Sequence, residues 1–201
     1  MSMKQKTTEK CVGSIWEETE GLQAFEEITY VIEMEQNKRQ ETPALLLKSQ
    51  KVKSRLWGFR DERGNVIIPP IYDFVWKFYG GLAKVCLNGK WGLIDRLGNV
   101  IIPAIYQKIH MTSDGLVQIQ SNKSLWGCLR KDGSMIVEPR YDYIFPFRFG
   151  FAGIKKEGKY GFVNLADQEV ITPCFDEIGQ ITPEGTVKVR NGHQWKTIAL
   201  N

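Results

Sequence analysis

An all-β fold made of tandem three-stranded repeats is what this sequence predicts, on three observations. A fourteen-residue motif occurs twice, as LWGFRDERGNVIIP over residues 56–69 and as KWGLIDRLGNVIIP over residues 90–103. An aromatic origin recurs at Trp57, Trp91, Trp126, Tyr160 and Trp195, with separations of 34, 35, 34 and 35 residues. Between origins, short apolar runs alternate with tight-turn residues, a strand-and-turn pattern. Self-similarity at a fixed period marks a repeat architecture, in which thin units gain a dry interior by stacking. The predicted arrangement is a superhelical array of β-hairpin units with a period of about 34 residues. The alternative is a closed, five-unit, propeller-like ring.

Each element has a local reason. Gly58, Gly92, Gly127 and Gly161 follow the first four origins, and Lys196 follows the fifth. In residues 82–95, Asn88–Gly89 separates two apolar runs and predicts a type I′ hairpin, whose central residues both need positive φ. Seven residues after the origins stand Gly64, Gly98, Gly133 and Asp167, predicting a second tight turn with a left-handed residue. The third run, residues 100–102, ends at Pro103, which cannot donate to a ladder. Its three consecutive apolar residues predict a strand covered on both faces. A connection of roughly a dozen residues then leads to Gly81, Gly115, Gly150 and Gly185 ahead of the next hairpin.

Two in-phase features suggest packing roles. The glycine after the aromatic origin leaves a side-chain-free patch for a ring or another backbone, with Tyr72, Tyr106, Tyr141 and Phe175 as candidate rings. The next residues, Asp73, Gln107, Asp142 and Asp176, include three carboxylates suited to capping backbone amides at the strand end. Asp61, Asp95 and Asn164 fall at strand–turn junctions, where hydrogen bonds to turn amides are expected.

Residues 1–12 are expected to lack order, and residues 13–201 to form one repeat domain. Within it, residues 25–48 read as a partial repeat, units start near 45, 82, 116 and 151, and residues 186–201 form a final half repeat. Phe25–Tyr30 resembles the segment from Tyr72, and residues 44–48 precede Trp57 as residues 82–86 precede Trp91. The basic run over residues 48–55 reads as a solvated hairpin tip.

Composition excludes several classes. Hydrophobic residues make up 42% and charged residues 25% of 201 residues, enough for a core and ordinary for a globule. The apolar runs are only a few residues long, too short for a spanning helix. The N-terminal residues lack the apolar region of a secretory signal, so a cytoplasmic location is expected, with export by a signal-less route as the alternative. Cys11, Cys86, Cys128 and Cys174 match no metal spacing and read as reduced, mostly buried side chains. The net charge of +4 is uneven: residues 1–50 carry six basic and nine acidic groups, leaving a mildly basic remainder. That excess is too weak for a nucleic-acid footprint.

The set W-G, D-x-x-G, V-I-I-P and P-x-Y-D at this period resembles the bacterial WG repeat family, also called KWG repeats. The likeness covers residues 44–201. Tyr160, Asp167, Gln107 and Lys196 depart from the motif. What the resemblance implies is a β-hairpin repeat module for binding or scaffolding, without a catalytic set.

The residues themselves support no catalytic constellation. His110 and His193 lack nearby ligand spacing for a metal, so no metal and no cofactor are expected. Nucleotide-binding and nucleophile-elbow motifs are absent from the sequence. Trp57, Trp91, Trp126, Tyr160 and Trp195, recurring inside apolar strands, are assigned to core packing with Gly58, Gly92, Gly127 and Gly161. The connections vary instead, and variable connections on regular repeats commonly form a binding face. Trp76, Phe78, Phe145, Phe147, Arg148 and His110 are the candidate protein-interface residues, since aromatics with arginine suit a hot spot. Tyr79 and Phe149, near the glycine of the next hairpin, are expected to be packed. The expected function is non-catalytic protein–protein binding, as a toxin-neutralising protein or an effector adaptor. The alternative is glycan or cell-wall binding on Trp76, Tyr143 and Phe145.

Overall fold

The computed structural model describes residues 4–16, 18–36 and 45–200, with side chains described for 8–16, 18–31 and 52–200. Every regular element among the described residues is a β-strand. The first sheet has the order β1 (Lys4–Ile15), β2 (Gln23–Gln36), β3 (Leu45–Arg60), β4 (Val66–Tyr72). The second contains β5 (Phe74–Val75), β6 (Leu82–Leu87), β7 (Lys90–Asp95) and β8 (Val100–Tyr106). The third holds β9 (Lys108–Met111), β10 (Leu116–Gln120), β11 (Trp126–Arg130) and β12 (Met135–Tyr141). The fourth holds β13 (Tyr143–Ile144), β14 (Phe151–Lys156), β15 (Lys159–Asn164) and β16 (Glu169–Phe175), and the fifth β17 (Glu177–Ile181), β18 (Thr186–Asn191) and β19 (Gln194–Ala199). The chain divides into two compact units, one up to Gly89 together with Leu93–Val100, the other Lys90–Gly92 together with the chain from Ile101 onward.

The repeat array is as predicted, but each regular unit has four strands. The extra strand comes from the connection: Val75 pairs with Val85, Ile109 with Ile119, Ile144 with Ile154 and Ile178 with Val189. Units thus begin a strand earlier than the starts near 82, 116 and 151. Asn88 (φ 52°) and Gly89 (φ 70°) form the positive-φ pair of the predicted hairpin.

The N-terminal region departs further. Residues 4–12, expected to lack order, pair with β2 from Lys4↔Glu35 to Val12↔Glu27, which satisfies the backbone groups that face β2. Residues 1–3 lie outside the described residues. Phe25 pairs with Gly58 and Glu26 with Trp57, so residues 22–27 are the strand before the aromatic origin, not the end of a partial unit. Leu45 pairs with Gln36 at the far end of the same ladder. The tight turn of the regular hairpin is replaced here by a long ribbon. The basic run 48–55 lies inside β3 rather than at a tip, because β2 continues opposite it from Ser49↔Glu33 to Arg55↔Ile28.

The glycine after the aromatic origin faces backbone, not a ring. A Cβ at Gly58 would lie 2.4 Å from Ile68 O, at Gly92 2.5 Å from Ile102 O, at Gly127 2.4 Å from Val137 O and at Gly161 2.4 Å from Ile171 O. The fourth strand bulges there: Trp57↔Tyr72 is followed by Phe59↔Ile68. Tyr72, Tyr141 and Phe175 pair opposite the origin residue instead, which corrects the expected ring contact. The carboxylates that follow cap amides of a hairpin turn: Gly89 N–H donates to Asp73 (3.2 Å), Glu157 N–H to Asp142 (2.7 Å) and Gly192 N–H to Asp176 (2.6 Å). Gln107 replaces the carboxylate and donates from its amide to Asn122 O (3.2 Å).

The second turn stacks on the preceding repeat. A Cβ on Gly98 would meet the Ile68 side chain at 3.3 Å, and one on Gly133 would meet Ile101 O at 2.6 Å. Asp167, which departs from the motif, keeps the left-handed conformation (φ 61°) that Asp tolerates. Its carboxylate accepts two bonds from the Arg140 guanidinium, at 2.6 and 2.7 Å. The motif glycine is replaced by an ion pair to the same preceding strand.

Not every apolar run is covered. Ile68 and Ile102 are buried, while Val66, Ile67 and Val100 are exposed, because β4 begins beside a turn at a sheet edge and only the third residue reaches the core. All four cysteines are free; Cys86 and Cys128 are buried but Cys11 and Cys174 are exposed, correcting the expectation for those two. Burial pushes the Cys128 thiol up to about 12.

Turn carboxylates make the fold acid-sensitive. Asp61 accepts from Arg63 N–H and Asn65 N–H, and Asp95 from Leu97 N–H and Asn99 N–H. Asn164 accepts the corresponding pair from Ala166 and Gln168. The Asn65 and Asn99 side-chain amides hold the Asp61 and Asp95 carboxyls below their ordinary value of 3.8. A depressed folded value means stability that is present above the unfolded value and lost as pH falls through the folded one. The melting temperature is therefore expected to hold down to pH about 4 and to fall below it. The Asp95→Asn variant should show a shallower fall; identical acid profiles would refute the assignment.

Candidate binding surface

The connections divide their side chains between core and solvent. Val75 and Ile144 point into the core, and Trp76 and Phe145, one residue on, are exposed. Phe78 (2% exposed) and Phe147 (7%) are buried again. Phe78 packs edge-on against Phe59 with ring centroids 4.8 Å apart. These two were predicted as interface residues; the chain leaves β5 and β13 after Val75 and Ile144, and the irregular segment that follows turns them inward. Tyr79 (76% exposed) and Phe149 (55%) were predicted to be packed and face solvent instead. Arg148 and His110 are exposed, as an interface role requires.

Phe149 occupies an uncommon conformation. It has φ 50° and precedes Gly150 at φ 85°, in the place taken by Gly80–Gly81 and Glu20–Gly21 in other units. Positive φ in a bulky residue is strained, by about 1–3 kcal/mol. An exposed aromatic held there gains no core packing in return.

Each unit carries its own line of rings. In the first, Trp16 lies 4.8 Å from Trp57 and 5.4 Å from Phe74, and Phe74 lies 6.0 Å from Trp76, centroid to centroid. In the second, His110 lies 5.7 Å from Trp126, Trp126 5.7 Å from Tyr143, Tyr143 4.9 Å from Phe145, and Phe145 6.3 Å from Tyr160. All of these contacts are tilted or edge-on, as aromatic pairs prefer over a face-to-face sandwich. Cations accompany the rings: Lys84 Nζ lies 4.9 Å over Trp76 and Lys155 Nζ 5.2 Å over Tyr160. Burial holds the Lys84 ammonium below its usual range.

Of the five aromatic origins, Trp57 and Trp126 are buried, and Trp91 and Tyr160 half-buried. Trp195 is 52% exposed, so its assignment to the core does not hold. A groove of about 370 Å³ opens in the second unit, lined by Phe145, Arg148, Phe162, Ile178 and Gly179 among others. Among the described residues no group of three or more His, Cys, Asp or Glu could hold a metal.

Trp16 is the ring the sequence reading missed. Its N–H donates to Ala24 O (3.0 Å) as Trp76 N–H donates to Lys84 O (2.8 Å) and Phe145 N–H to Gly153 O (2.9 Å). Trp16 precedes Gly21–Leu22 by the spacing with which Trp76 precedes Gly81–Leu82. That signal lay outside the 34-residue period, because the ribbon puts Gly21 and Gly81 60 positions apart.

A family profile described as "WG containing repeat" matches residues 57–91, 91–123, 126–160 and 160–195, well over half of the chain. No curated protein matches it. The profile boundaries run from one aromatic origin toward the next, so each match takes in four strands, from the origin strand through the connection strand to the first strand of the next hairpin.

Proposed function

Because the chain belongs to the WG repeat family, whose arrays are binding or scaffold-type modules and not a known enzyme family, we propose that it binds a partner protein through the exposed rings of its connections. The observation that carries this reading is the split within the two aromatic connections. Phe78 and Phe147 meet the needs of the core; Trp76 remains at the surface of one compact unit, and Tyr143, Phe145, Arg148 and Phe149 at the surface of the other. Exposed aromatics with arginine are the residues in which protein interfaces concentrate their energy. The strained backbone at Phe149 adds to this, since strain without a packing return points to function.

Protein is favoured over glycan by the ring faces. Sugar stacking needs an open face, and Lys84 lies over that of Trp76, while Phe74 meets the same indole edge-on. The chain acts in the cytoplasm in this reading, neutralising a toxin or adapting an effector. No helix among the described residues is long and apolar enough to cross a membrane.

Affinity capture from the source organism tests the proposal. The parent chain should retain one protein in stoichiometric amount. Trp76→Ala and Phe149→Ala should each lower the retained amount at least tenfold with an unchanged melting temperature. Undiminished capture by both variants rejects the assignment of these rings.

A further inference from the structure

The last connection differs from the others at one position. Counting one residue on from the core-facing Val75, Ile109 and Ile144 gives Trp76, His110 and Phe145, and the corresponding Trp16 occupies the first unit. One residue on from Ile178 stands Gly179. The line of rings, which runs on from Phe145 to Tyr160, therefore lacks a member beside Trp195. The gap is open on both sides. Gly179 lines the groove that contains Phe145 and Arg148, and it also lines a second groove with Lys188, Trp195 and Lys196. Trp195, which would meet the missing ring, is half exposed, whereas Trp57 and Trp126 are under 10% exposed.

The lining of both grooves carries Arg148, Lys188 and Lys196 and no carboxylate. The nearby Glu177 is engaged by Arg190. A strand added to β19 in the geometry of the other repeats does not fit. Where those repeats have glycine beneath a crossing carbonyl, β19 has Lys196. This disfavours completion of the sheet by a strand from a second copy and leaves the side-chain slot.

We infer that the slot at Gly179 receives an aromatic side chain from an acidic segment of the partner protein, the incoming ring packing in the grooves that Gly179 shares with Phe145 and with Trp195 and the flanking carboxylates meeting Arg148, Lys188 and Lys196. This rests on the protein-binding reading above and specifies its partner. A ring is selected because four equivalent positions hold one on the same scaffold. Acidic flanks are selected by the unopposed cations.

The test uses the full ¹⁵N-labelled chain and a blocked peptide, Glu-Asp-Tyr-Asp-Glu, with the Trp195 indole N–H resonance as readout, assigned through Trp195→Phe. The expected result is a saturable shift of that resonance. The peptide with Ala for Tyr should bind at least tenfold more weakly, and Lys-Lys-Tyr-Lys-Lys should give no shift. Gly179→Phe, which supplies the ring from within, should abolish the response with the remaining spectrum in place, and Arg148→Glu should weaken it at least tenfold. No shift at millimolar peptide, an undiminished response in Gly179→Phe, or a shift produced by cellohexaose but not by the peptide would each overturn the inference. Capture of a protein that Trp76→Ala abolishes and Gly179→Phe leaves intact would remove the slot alone, whereas absence of any captured protein would remove the broader reading.

Discussion

Replacing Gly127 with alanine is expected to lower stability by about 3 kcal/mol, the upper range for overpacking a tight site. The added methyl group would stand 2.4 Å from Val137 O, 2.8 Å from Pro139 N and 3.1 Å from Glu138 C. All three are backbone atoms, so no side-chain rotation relieves the clash. β12 has to retreat from β11, and the bulge that brings Tyr141 opposite Trp126 is lost with it. For a chain of this size such a loss lowers the melting temperature by roughly 6–12 °C. Gly179→Ala is the matched control. Its backbone is not left-handed and its Cβ would lie 3.3 Å from Lys188 O, so it should stay within about 1 kcal/mol of the parent. Urea unfolding followed by tryptophan fluorescence compares them. Equal stabilities would mean that the fourth strand does not cross over this glycine.

Why the array could be read from sequence and its first unit could not follows from the same residues. Periodicity exposes whatever recurs at constant spacing: the aromatic origins, the glycines beneath the crossing carbonyls and the Asn88–Gly89 turn. Constant spacing fails where a turn grows into a ribbon, which is why Trp16 and Gly21 went unassigned and Lys4–Ile15 was not expected as a strand. Apolar content also misled at Val66–Tyr72, because β4 is an edge whose first residues lie at a turn. In the connections, composition identified aromatic segments without their phase. The phase is set by Val75 and Ile144 pairing into their sheets, a contact that the short strands β5 and β13 scarcely mark in sequence. Once that pairing is known, alternation puts Trp76 and Phe145 outward; Phe78 and Phe147, three residues past Val75 and Ile144, turn inward because the chain has left the short strands β5 and β13 by then.

That phase yields the largest effect expected here. Phe78→Ala should cost about 3–5 kcal/mol, the range for deleting a buried phenyl ring. Phe78 is 2% exposed and belongs to the cluster of Phe59, Ile68, Tyr72, Val75 and Val85, so its loss leaves a cavity that several strands would have to close. Tyr79→Ala, one residue away, should stay within about 0.5 kcal/mol of the parent, since its ring is solvated. A double-mutant cycle with Phe59→Leu should recover a coupling of about 0.5–1.5 kcal/mol for the edge-on pair. Reversed costs, with Tyr79 the expensive residue, would turn the connection over and put Trp76 inside with it. The exposed rings on which partner binding is proposed would then belong to the core. The stability of two adjacent aromatic variants therefore decides which side of the connection is free to meet another protein.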